Sequence, residues 1–309
     1  MSDNTSYDFL KLSKVTGLLS LVLIAISFTS IAIRHFNFGI DFTGGTISDL
    51  SITDKTAEKN IKNELSLKYS KYKNNIFQFY NGGMVVKIST KDIKDNSEDT
   101  DNIVNILTPI KKDVVSNRID FVNPQASKVL IKSGIISLSL SLFGILLYIL
   151  FRFKLNFAVS AITTLLHNII LVFGFISLFQ MNFDLMTVAA ILIVIGYSVN
   201  DTVIIFDKIR ENLKIYDTKD IYHVVNTSIN SSLKRILYTS ISTVLAILPL
   251  IFSPVSGLKN FGILVVFGIS IGTYSSIFIA SSMLVLHNSK QNGVNNEKGK
   301  NSSNNRSSI

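Results

Sequence analysis

The residue in this sequence best suited to chemistry is an aspartate within a long apolar stretch. Asp201 interrupts the otherwise uncharged run 185–206, and the polar residues Asn200 and Thr202 flank it. A carboxylate inside a membrane-crossing helix costs several kcal/mol, so such a residue usually serves a function. The simpler alternative is a helix end from which Asp201 reaches the headgroups, although so short a side chain reaches poorly. We predict that Asp201 carries protons and that Asn200 and Thr202 support it.

Arg235, at the start of the next apolar run, is the predicted partner of Asp201. Successive membrane-crossing helices run in opposite directions, which places both residues near the same membrane boundary at comparable depth. An arginine there would keep the carboxylate charged, and protonation of Asp201 would release the arginine. Thr239 and Thr243 extend a polar stripe from Arg235 at helical spacing. Position alone is equally compatible with an ordinary cationic anchor at Arg235.

Other candidate residues give weaker signals. His167 lies in the third apolar run and could relay protons, although a histidine bonded to a neighbouring helix is the commoner situation. The stretch Gly39–Thr46 resembles a phosphate-binding loop but lacks the lysine and the following helix of such loops. The sequence contains no Walker, HExxH or GxSxG motif and no cysteine. We therefore predict neither an enzyme nor a bound metal or cofactor.

The composition indicates that these residues belong to a membrane protein. The 309 residues are 47% hydrophobic and only 17% charged, with a mean hydropathy of +0.39, whereas soluble domains carry about 25% charged residues. The net charge is +9, but the basic residues cluster in short segments between apolar runs. We therefore predict contacts with membrane lipid and no contacts with nucleic acid.

Six apolar runs are each long enough to cross a hydrocarbon core, which requires about 20 helical residues. The short segments on one side of the membrane carry most of the lysines and arginines, so the positive-inside rule places both termini in the cytoplasm. The predicted divisions are a cytoplasmic N-tail at 1–14, membrane helices at 15–34, 128–151, 155–180, 184–206, 234–254 and 260–287, an extracytoplasmic domain at 35–127, a cytoplasmic loop at 207–233 and a disordered cytoplasmic tail at 288–309.

The extracytoplasmic segment predicts a small α+β domain. Alternation, helical periodicity and the turn Asn81-Gly82-Gly83 divide it into six elements. The predicted order is a strand at 39–52, a helix at 54–69, strands at 76–80 and 84–89, a helix at 103–114 and a strand at 118–122. This order is typical of ferredoxin-like domains. The predicted fold class is therefore an α-helical polytopic membrane protein of six transmembrane helices, with one ferredoxin-like domain between the first two.

Two stretches of the sequence resemble the signatures of the SecF family, a branch of the RND transporter superfamily. The first is Gly39-Ile40-Asp41-Phe42-Thr43-Gly44-Gly45-Thr46, and the second runs from Gly196 to Asn212 through the fourth apolar run. Phe151-Arg152-Phe153 and Leu233–Ser240 agree as well, so the resemblance covers almost the whole chain outside its tails. It marks Gly39, Asp41, Gly44, Gly45 and Gly196 as structural signature residues.

The resemblance implies a proton-driven subunit of the bacterial Sec protein translocase, located in the inner membrane and working without ATP. It implies SecD, the SecYEG channel and YajC as partners, preproteins as cargo, and Asp201 and Arg235 as the proton-coupling residues. Two positions depart from the family. Asn168 stands where an aspartate usually follows the histidine, which argues against proton transport by the third span, and Lys208 replaces an arginine.

Two other functions stay open from the residues themselves. A self-sufficient proton-coupled exporter of the RND type would have to assemble from several six-span subunits, so purification as a homo-oligomer would favour it. A structural membrane scaffold would use Asp201 and Arg235 merely to lock helices together, and it would tolerate a neutral residue at Asp201.

The glycines of the first signature suggest a mechanical role. Gly39, Gly44 and Gly45 lie where the first span meets the insert, and glycine adopts backbone angles that other residues avoid. We hypothesise that this turn transmits movement of the spans to the insert. An ordinary tight turn is the alternative.

Overall fold

The computed structural model describes residues 7–52, 77–80, 83–89, 114–216, 220–253 and 255–288. Its helices are α1 Ser13–Arg34, α2 Ile40–Thr43, α3 Pro124–Arg152, α4 Leu155–Leu178, α5 Leu185–Ile215, α6 Ile221–Ile251 and α7 Ser256–Ser275. A 3-10 turn at Leu10–Leu12 precedes α1, and α7 continues through a π-helical turn at Ser276–Ala280 to Asn288. Among the described residues, six helices are long and apolar enough to cross a membrane, which confirms the predicted number of spans.

The bundle has two distinguishable ends. The terminal end is where α1 begins and the continuation of α7 finishes, and the insert end is where the strands between α1 and α3 extend. Polar residues cap helices at both ends. The side chains of Asn123, Asp184 and Asp220 accept hydrogen bonds from backbone N–H groups in the first turns of α3, α5 and α6. Each cap satisfies donors that have no partner within the helix itself.

The segment predicted as a loop at 207–233 is mostly helical. α5 continues past the apolar run to Ile215, and α6 already begins at Ile221. This polar extension carries two partly exposed ion pairs. Asp207 bonds to Arg152 on α3 at 2.9 Å, and Lys208 bonds to Glu211 one turn later at 2.9 Å. The apolar pattern marks where a helix crosses the membrane, but these helices extend beyond that boundary.

The sequence pattern predicted one continuous strand through the first signature. The structure does not have a continuous strand there. β1 Asn37–Phe38 precedes the signature, which itself contains the turn α2 and the start of β2 Gly45–Ile52. β1 pairs in parallel with β6 Asn182–Phe183, just before α5. Gly44 has a φ of 70°, a conformation that favours glycine, and it redirects the chain from α2 into β2.

The described part of the insert is an antiparallel sheet of β2, β3 Phe77–Tyr80, β4 Gly83–Ser89 and β5 Val114–Val122. The strand order is β3-β4-β2-β5, and β2 pairs with both β4 and β5. This order agrees with the strands of the predicted ferredoxin-like domain. Val114, predicted as the end of a helix, instead begins β5. The two predicted helices otherwise lie outside the described residues, so the ferredoxin-like domain stays a prediction.

Helices α4, α5 and α7 form the inside of the bundle, whereas α3 and α6 lie towards its outside. Half or more of the apolar stretch is buried in each inner helix, against 6% in α3 and 11% in α6. Small residues allow close packing of α5 on α7. A Cβ atom at Gly268 would overlap the side chain of Val194, and one at Gly272 would lie 3.2 Å from Cβ of Ser198.

The residues before α1 are tied to α6 at the terminal end. Asn226 and Asn230, one helical turn apart, donate hydrogen bonds from Nδ2 to the carbonyl oxygen of Tyr7 at 3.0 and 2.8 Å. Their Oδ1 atoms accept from the backbone N–H groups of Phe9 and Tyr7, both at 2.9 Å. The described part of the predicted N-tail is therefore ordered against a helix more than 200 residues away.

Candidate functional site

Asp201 lies within α5 and is fully buried, with 0% of its surface exposed. Thr273 on α7 donates a hydrogen bond of 2.9 Å from Oγ1 to Oδ2 of Asp201. Oδ1 of Asp201 has no hydrogen-bond partner among the described residues. A buried carboxylate charge is costly unless several groups stabilise it. The protonation state of Asp201 is therefore sensitive to any further group that approaches Oδ1.

A second hydroxyl extends this contact to α6. The Oγ atom of Ser240 lies 2.9 Å from Oγ1 of Thr273. Because Thr273 directs its single hydroxyl proton to Asp201, it accepts from Ser240. Both donors thus point towards the carboxylate, as an ionised Asp201 requires. If a protonated Asp201 donated to Thr273 instead, the hydroxyl proton of Thr273 would have to turn away from the carboxylate.

A neighbouring polar group surrounds Ser198, one turn from Asp201 on α5. Thr202 Oγ1 and Ser276 Oγ are 2.8 Å apart, and both contact the backbone oxygen of Ser198, at 3.1 and 3.3 Å. Asn168 on α4 donates from Nδ2 to Oγ of Ser198 at 2.5 Å. Thr202, predicted to support Asp201, therefore bonds within this second group and joins α5 to the continuation of α7.

His167 is buried beside Asn168 and belongs to the same group. Its Nδ1 lies 3.1 Å from Oδ1 of Asn168. Because the amide of Asn168 donates to Ser198, its oxygen accepts, and the proton of His167 therefore sits on Nδ1. Nε2 has no partner in the described part of the chain. The hydrogen bonds connect His167 to Ser198 but not directly to Asp201.

Arg235 does not contact Asp201. It lies on the exposed face of α6, and among the described residues neither residue takes part in an ion pair. The predicted polar stripe from Arg235 reaches a neighbouring helix at one residue. Thr239 bonds within α6, whereas Thr243 bonds to the hydroxyl of Tyr197 on α5 at 3.2 Å. Asn200 is exposed, unlike its neighbours Asp201 and Thr202.

The first signature docks on the start of α5 at the insert end. Oδ2 of Asp41 accepts a 2.9 Å hydrogen bond from the backbone N–H of Leu185, and Gly39 N–H donates to the oxygen of Phe183 at 2.7 Å. A Cβ atom at Gly39 would lie 2.8 Å from Cβ of Asp184, so the close approach requires glycine there.

The remaining signature glycines have different surroundings. Gly45 begins β2, where it pairs with Ser89 on β4 and Val122 on β5. Gly196 is exposed on α5, and a Cβ atom there would meet nothing within 4 Å. Packing against the described residues therefore does not require glycine at position 196.

Two carboxylates lie close together at this end. Asp184 precedes the apolar part of α5 and caps that helix, with Asp41 nearby. Burial raises the pKa of the Asp184 carboxyl, and the negative charge of Asp41 adds to this rise, while hydrogen bonds from the N–H and hydroxyl of Thr187 oppose it. Asp184 thus binds a proton more readily than an ordinary aspartate does.

Sequence reasoning missed the residues that directly contact the buried carboxylate. Thr273 follows Gly272, whose spacing from Gly268 and Ser276 is typical of close helix packing, and Ser240 is one of several serines in its span. The available signal was the recurrence of Ser and Thr in three apolar runs. Among the described residues, no group of three or more histidines or acids is arranged to hold a metal ion.

Comparison with protein families gives two matches along the chain. Residues 102–290 match the family model described as "Protein export membrane protein SecD/SecF, C-terminal". Residues 29–53 match the model described as "SecD/SecF GG Motif". The first match contains Asp201, Thr273 and Arg235, and the second contains the segment that docks on α5.

Two similar relatives bear the name "Protein translocase subunit SecF". The relative from Rickettsia felis is 36% identical over 301 residues, which cover 93% of each chain. The relative from Rickettsia rickettsii is 37% identical over 301 residues, again with 93% of each chain covered.

Two solved structures are similar in fold. SecDF, described as a translocon-associated membrane protein from Thermus thermophilus, superposes with a TM-score of 0.80 at 29% identity, covering 93% of this chain and 39% of its own. SecDF in a "Super-membrane-facing form" gives a TM-score of 0.68 at 26% identity, covering 96% and 41%. The chain therefore spans about two fifths of the SecDF chains.

Proposed function

Because this chain belongs to the SecD/SecF family of protein-export membrane proteins, we propose that it is one part of a proton-driven motor for preprotein export. In this proposal it assembles with SecD, and the pair uses the proton-motive force in late, ATP-independent steps of export through SecYEG. The observation that carries the proposal is the fully buried carboxylate of Asp201, whose Oδ1 lacks a partner among the described residues.

Asp201 exchanges protons and thereby changes the contacts between helices. In its ionised form it accepts from Thr273, which in turn accepts from Ser240, so α5, α7 and α6 are joined through one carboxylate. Protonation removes the charge that orients these hydroxyl groups and weakens this connection. Asp201 thus controls how firmly three helices hold one another.

Arg235 provides the second contact in the cycle. It lies five residues from Ser240, about 7.5 Å along the helix axis. Five residues also turn the helix by about 140° relative to Ser240, so α6 must rotate substantially, with Ser240 leaving Thr273, to bring the guanidinium group towards Asp201. The carboxylate then alternates between Thr273, as in this structure, and Arg235, and protonation releases the arginine.

The available energy limits what the motor does. Moving one charge through the membrane potential yields about 2.3 kcal/mol per 100 mV. That energy biases a two-state element but is too small to unfold a folded domain. The motor therefore rectifies small steps of an unfolded preprotein, with the insert as the part that contacts it.

The outward-facing helices provide the surface for SecD. α3 and α6 bury little of their apolar surface, and Arg235 lies on the exposed face of α6. A chain that spans about two fifths of the SecDF polypeptides leaves room for a second half of the assembly. We place SecD against α6, with membrane lipid covering the remaining apolar faces and YajC as an additional partner.

The orientation follows from the basic residues. Lys11, Lys14, Arg152 and Lys154 all belong to the terminal end, which by the positive-inside rule faces the cytoplasm of the inner membrane. The insert then faces outwards, on the side where protons enter and preproteins emerge.

The test is Asp201→Asn in a strain that depends on this chain for export. Asparagine preserves the volume and still accepts from Thr273, but it cannot exchange a proton. We expect loss of preprotein maturation with the variant present in the membrane at normal abundance. Glu211→Gln is the matched control, since it neutralises an exposed acid on the same helix and should export normally.

Normal export by Asp201→Asn would contradict proton coupling and favour the scaffold. Affinity purification of the tagged chain tests the assembly, because the proposal expects SecD to co-purify. Isolation as a homo-oligomer that transports without SecD would instead favour a self-sufficient exporter.

A further inference from the structure

The two polypeptide connections of the insert meet on one helix. The first connection, residues 37–44, docks on the start of α5 through the bond from Leu185 N–H to Asp41. Parallel pairing of β1 with β6 and a 2.9 Å bond from Asn37 Nδ2 to Asn182 Oδ1 reinforce this contact. Residues 37–44 therefore share main-chain and side-chain bonds with the segment that begins α5.

The second connection is the start of α3, and it is joined to the first. Ser127 is buried and donates from Oγ to the carbonyl oxygen of Ile40 at 3.3 Å. Further along α3, a Cβ atom at Gly134 would lie 3.9 Å from the ring of Phe42 and 4.0 Å from Leu185. Both routes from the membrane into the sheet thus contact each other and α5.

α3 and α5 are joined again at the terminal end. One guanidinium nitrogen of Arg152 bonds to both carboxylate oxygens of Asp207, at 3.0 and 2.9 Å. Arg210 approaches the same carboxylate at 3.4 Å. These groups are partly exposed, so the pair contributes little to stability. Its position nevertheless ties the two helices at the end opposite the insert.

We propose that α5, α3 and residues 37–44 move as one rigid unit, with Asp41 as the positioning residue that passes displacement of α5 to β2. The proposal rests on the proposed function in so far as Asp201, on the same α5, drives that displacement. The backbone N–H of Leu185 bonds to Asp41, and Gly39 approaches α5 more closely than a residue with a Cβ atom could. These contacts leave little space for residues 37–44 to move relative to α5. The insert is then moved directly by the helix that carries the proton site.

We call the contact between residues 37–44 and the start of α5 the junction. If this junction is rigid, a covalent bond across it should not impair export. The chain has no cysteine, so Asn37→Cys with Asn182→Cys introduces a single defined pair at partners in the β1–β6 register. We expect export to continue at the parental rate after oxidation. A junction that must open would stop on oxidation and recover on reduction, and that result would overturn the proposal.

Breaking the junction is the complementary experiment. Asp41→Ala removes the charged acceptor for Leu185 N–H, and we expect export to slow roughly tenfold or more, the factor that a hydrogen bond to a charged group contributes to a two-state equilibrium. Asp41→Asn keeps an acceptor oxygen and should export almost normally. Equal loss in both variants, or normal export by Asp41→Ala, would contradict the role of this bond.

Combining the two changes separates coupling from folding. If Asp41→Ala impairs export by loosening the junction, oxidation of the cysteine pair in the same chain should restore export by replacing the lost bond. Failure of oxidation to restore export would overturn the proposal. The oxidised pair should not rescue Asp201→Asn. Normal export by Asp201→Asn would contradict the proton site, while the junction would still be judged by the Asp41 variants.

Discussion

The hydroxyl of Thr273 donates a hydrogen bond to the buried carboxylate of Asp201 across the interface between α7 and α5. In the described part of the chain, no cation shares that carboxylate. A neutral hydroxyl stabilises an anion less than an arginine does, and it also accepts a hydrogen bond when the acid is protonated. Thr273 therefore suits a carboxylate that must change its charge.

Thr273→Val should slow export by roughly tenfold or more, because a hydrogen bond to a charged group contributes about 1.5–3 kcal/mol. Valine has nearly the same shape, so packing of α7 changes little. Thr273→Ser retains the hydroxyl and is the matched control. Maturation of a pulse-labelled preprotein is the measurement, and equal rates for the valine and serine variants would refute a role for the hydroxyl.

Arg235→Lys should be impaired even though it conserves the positive charge. Lysine lacks the planar group that holds a carboxylate with two parallel bonds. The neighbouring exposed residue Lys234 offers a control, since Lys234→Gln removes an ordinary anchor charge and should have a small effect on export. If Arg235→Lys exports at the parental rate, Arg235 is an anchor and the alternating contact with Asp201 is wrong.

Gly268→Ala should destabilise the packing of α5 on α7. Its Cβ atom would overlap Val194, and such overpacking costs about 1–3 kcal/mol. Gly196→Ala is the control on the partner helix, because its Cβ atom meets nothing within 4 Å. Thermal unfolding of the purified protein in detergent should show a lower Tm for the first variant alone. A similar Tm for both would show that the interface adjusts without cost.

Asp184→Asn should alter how stability depends on pH. The folded protein holds the Asp184 proton more tightly than the unfolded chain does, because burial raises its pKa. This contribution is fully present at low pH and is lost as pH rises through the folded-state pKa. The parent should therefore gain stability relative to Asp184→Asn as pH falls from neutral. Asparagine caps helices well, so identical pH profiles would mean that Asp184 is not the group responsible.

Asp201 and the six spans could be predicted because each depends on a local property of the sequence. A single charge in an apolar run is visible without a structure, and so is a run long enough to cross a membrane. The resemblance to a family then pointed to the same residues. Membership of that family follows from the comparisons.

The contacts of Asp201 could not be predicted, because they depend on how each helix is rotated about its axis. Sequence spacing placed Arg235 at a suitable depth but did not show that it faces outwards. Thr273 and Ser240 occupy the inward faces instead. Periodicity gives that rotation only when one face is clearly polar, and membrane helices are apolar on all sides.

The structure of the first signature could not be predicted from its local sequence pattern either. Residues 40–43 form a helical turn, although their sequence suggested a strand, because Thr43 bonds back to Gly39 and the turn packs beside α3. Asp41 was recognisable as a signature residue, but its partner, Leu185, lies 144 residues further along the chain. Contacts at such separation are decided by the fold.

The bond between Tyr7 and Asn230 sets an order of events during synthesis. The two residues are 223 positions apart, so a ribosome adding about 5–20 residues per second makes them roughly 10–45 s apart. Until then α1 waits in the bilayer. Ser177, the partner of Ser30 on the third span, has by then been made, whereas Tyr274, the partner of Ser20 on the sixth span, has not. Closure of this tie can occur only after the first four spans and the start of α6 have been made, which makes it a late marker of assembly.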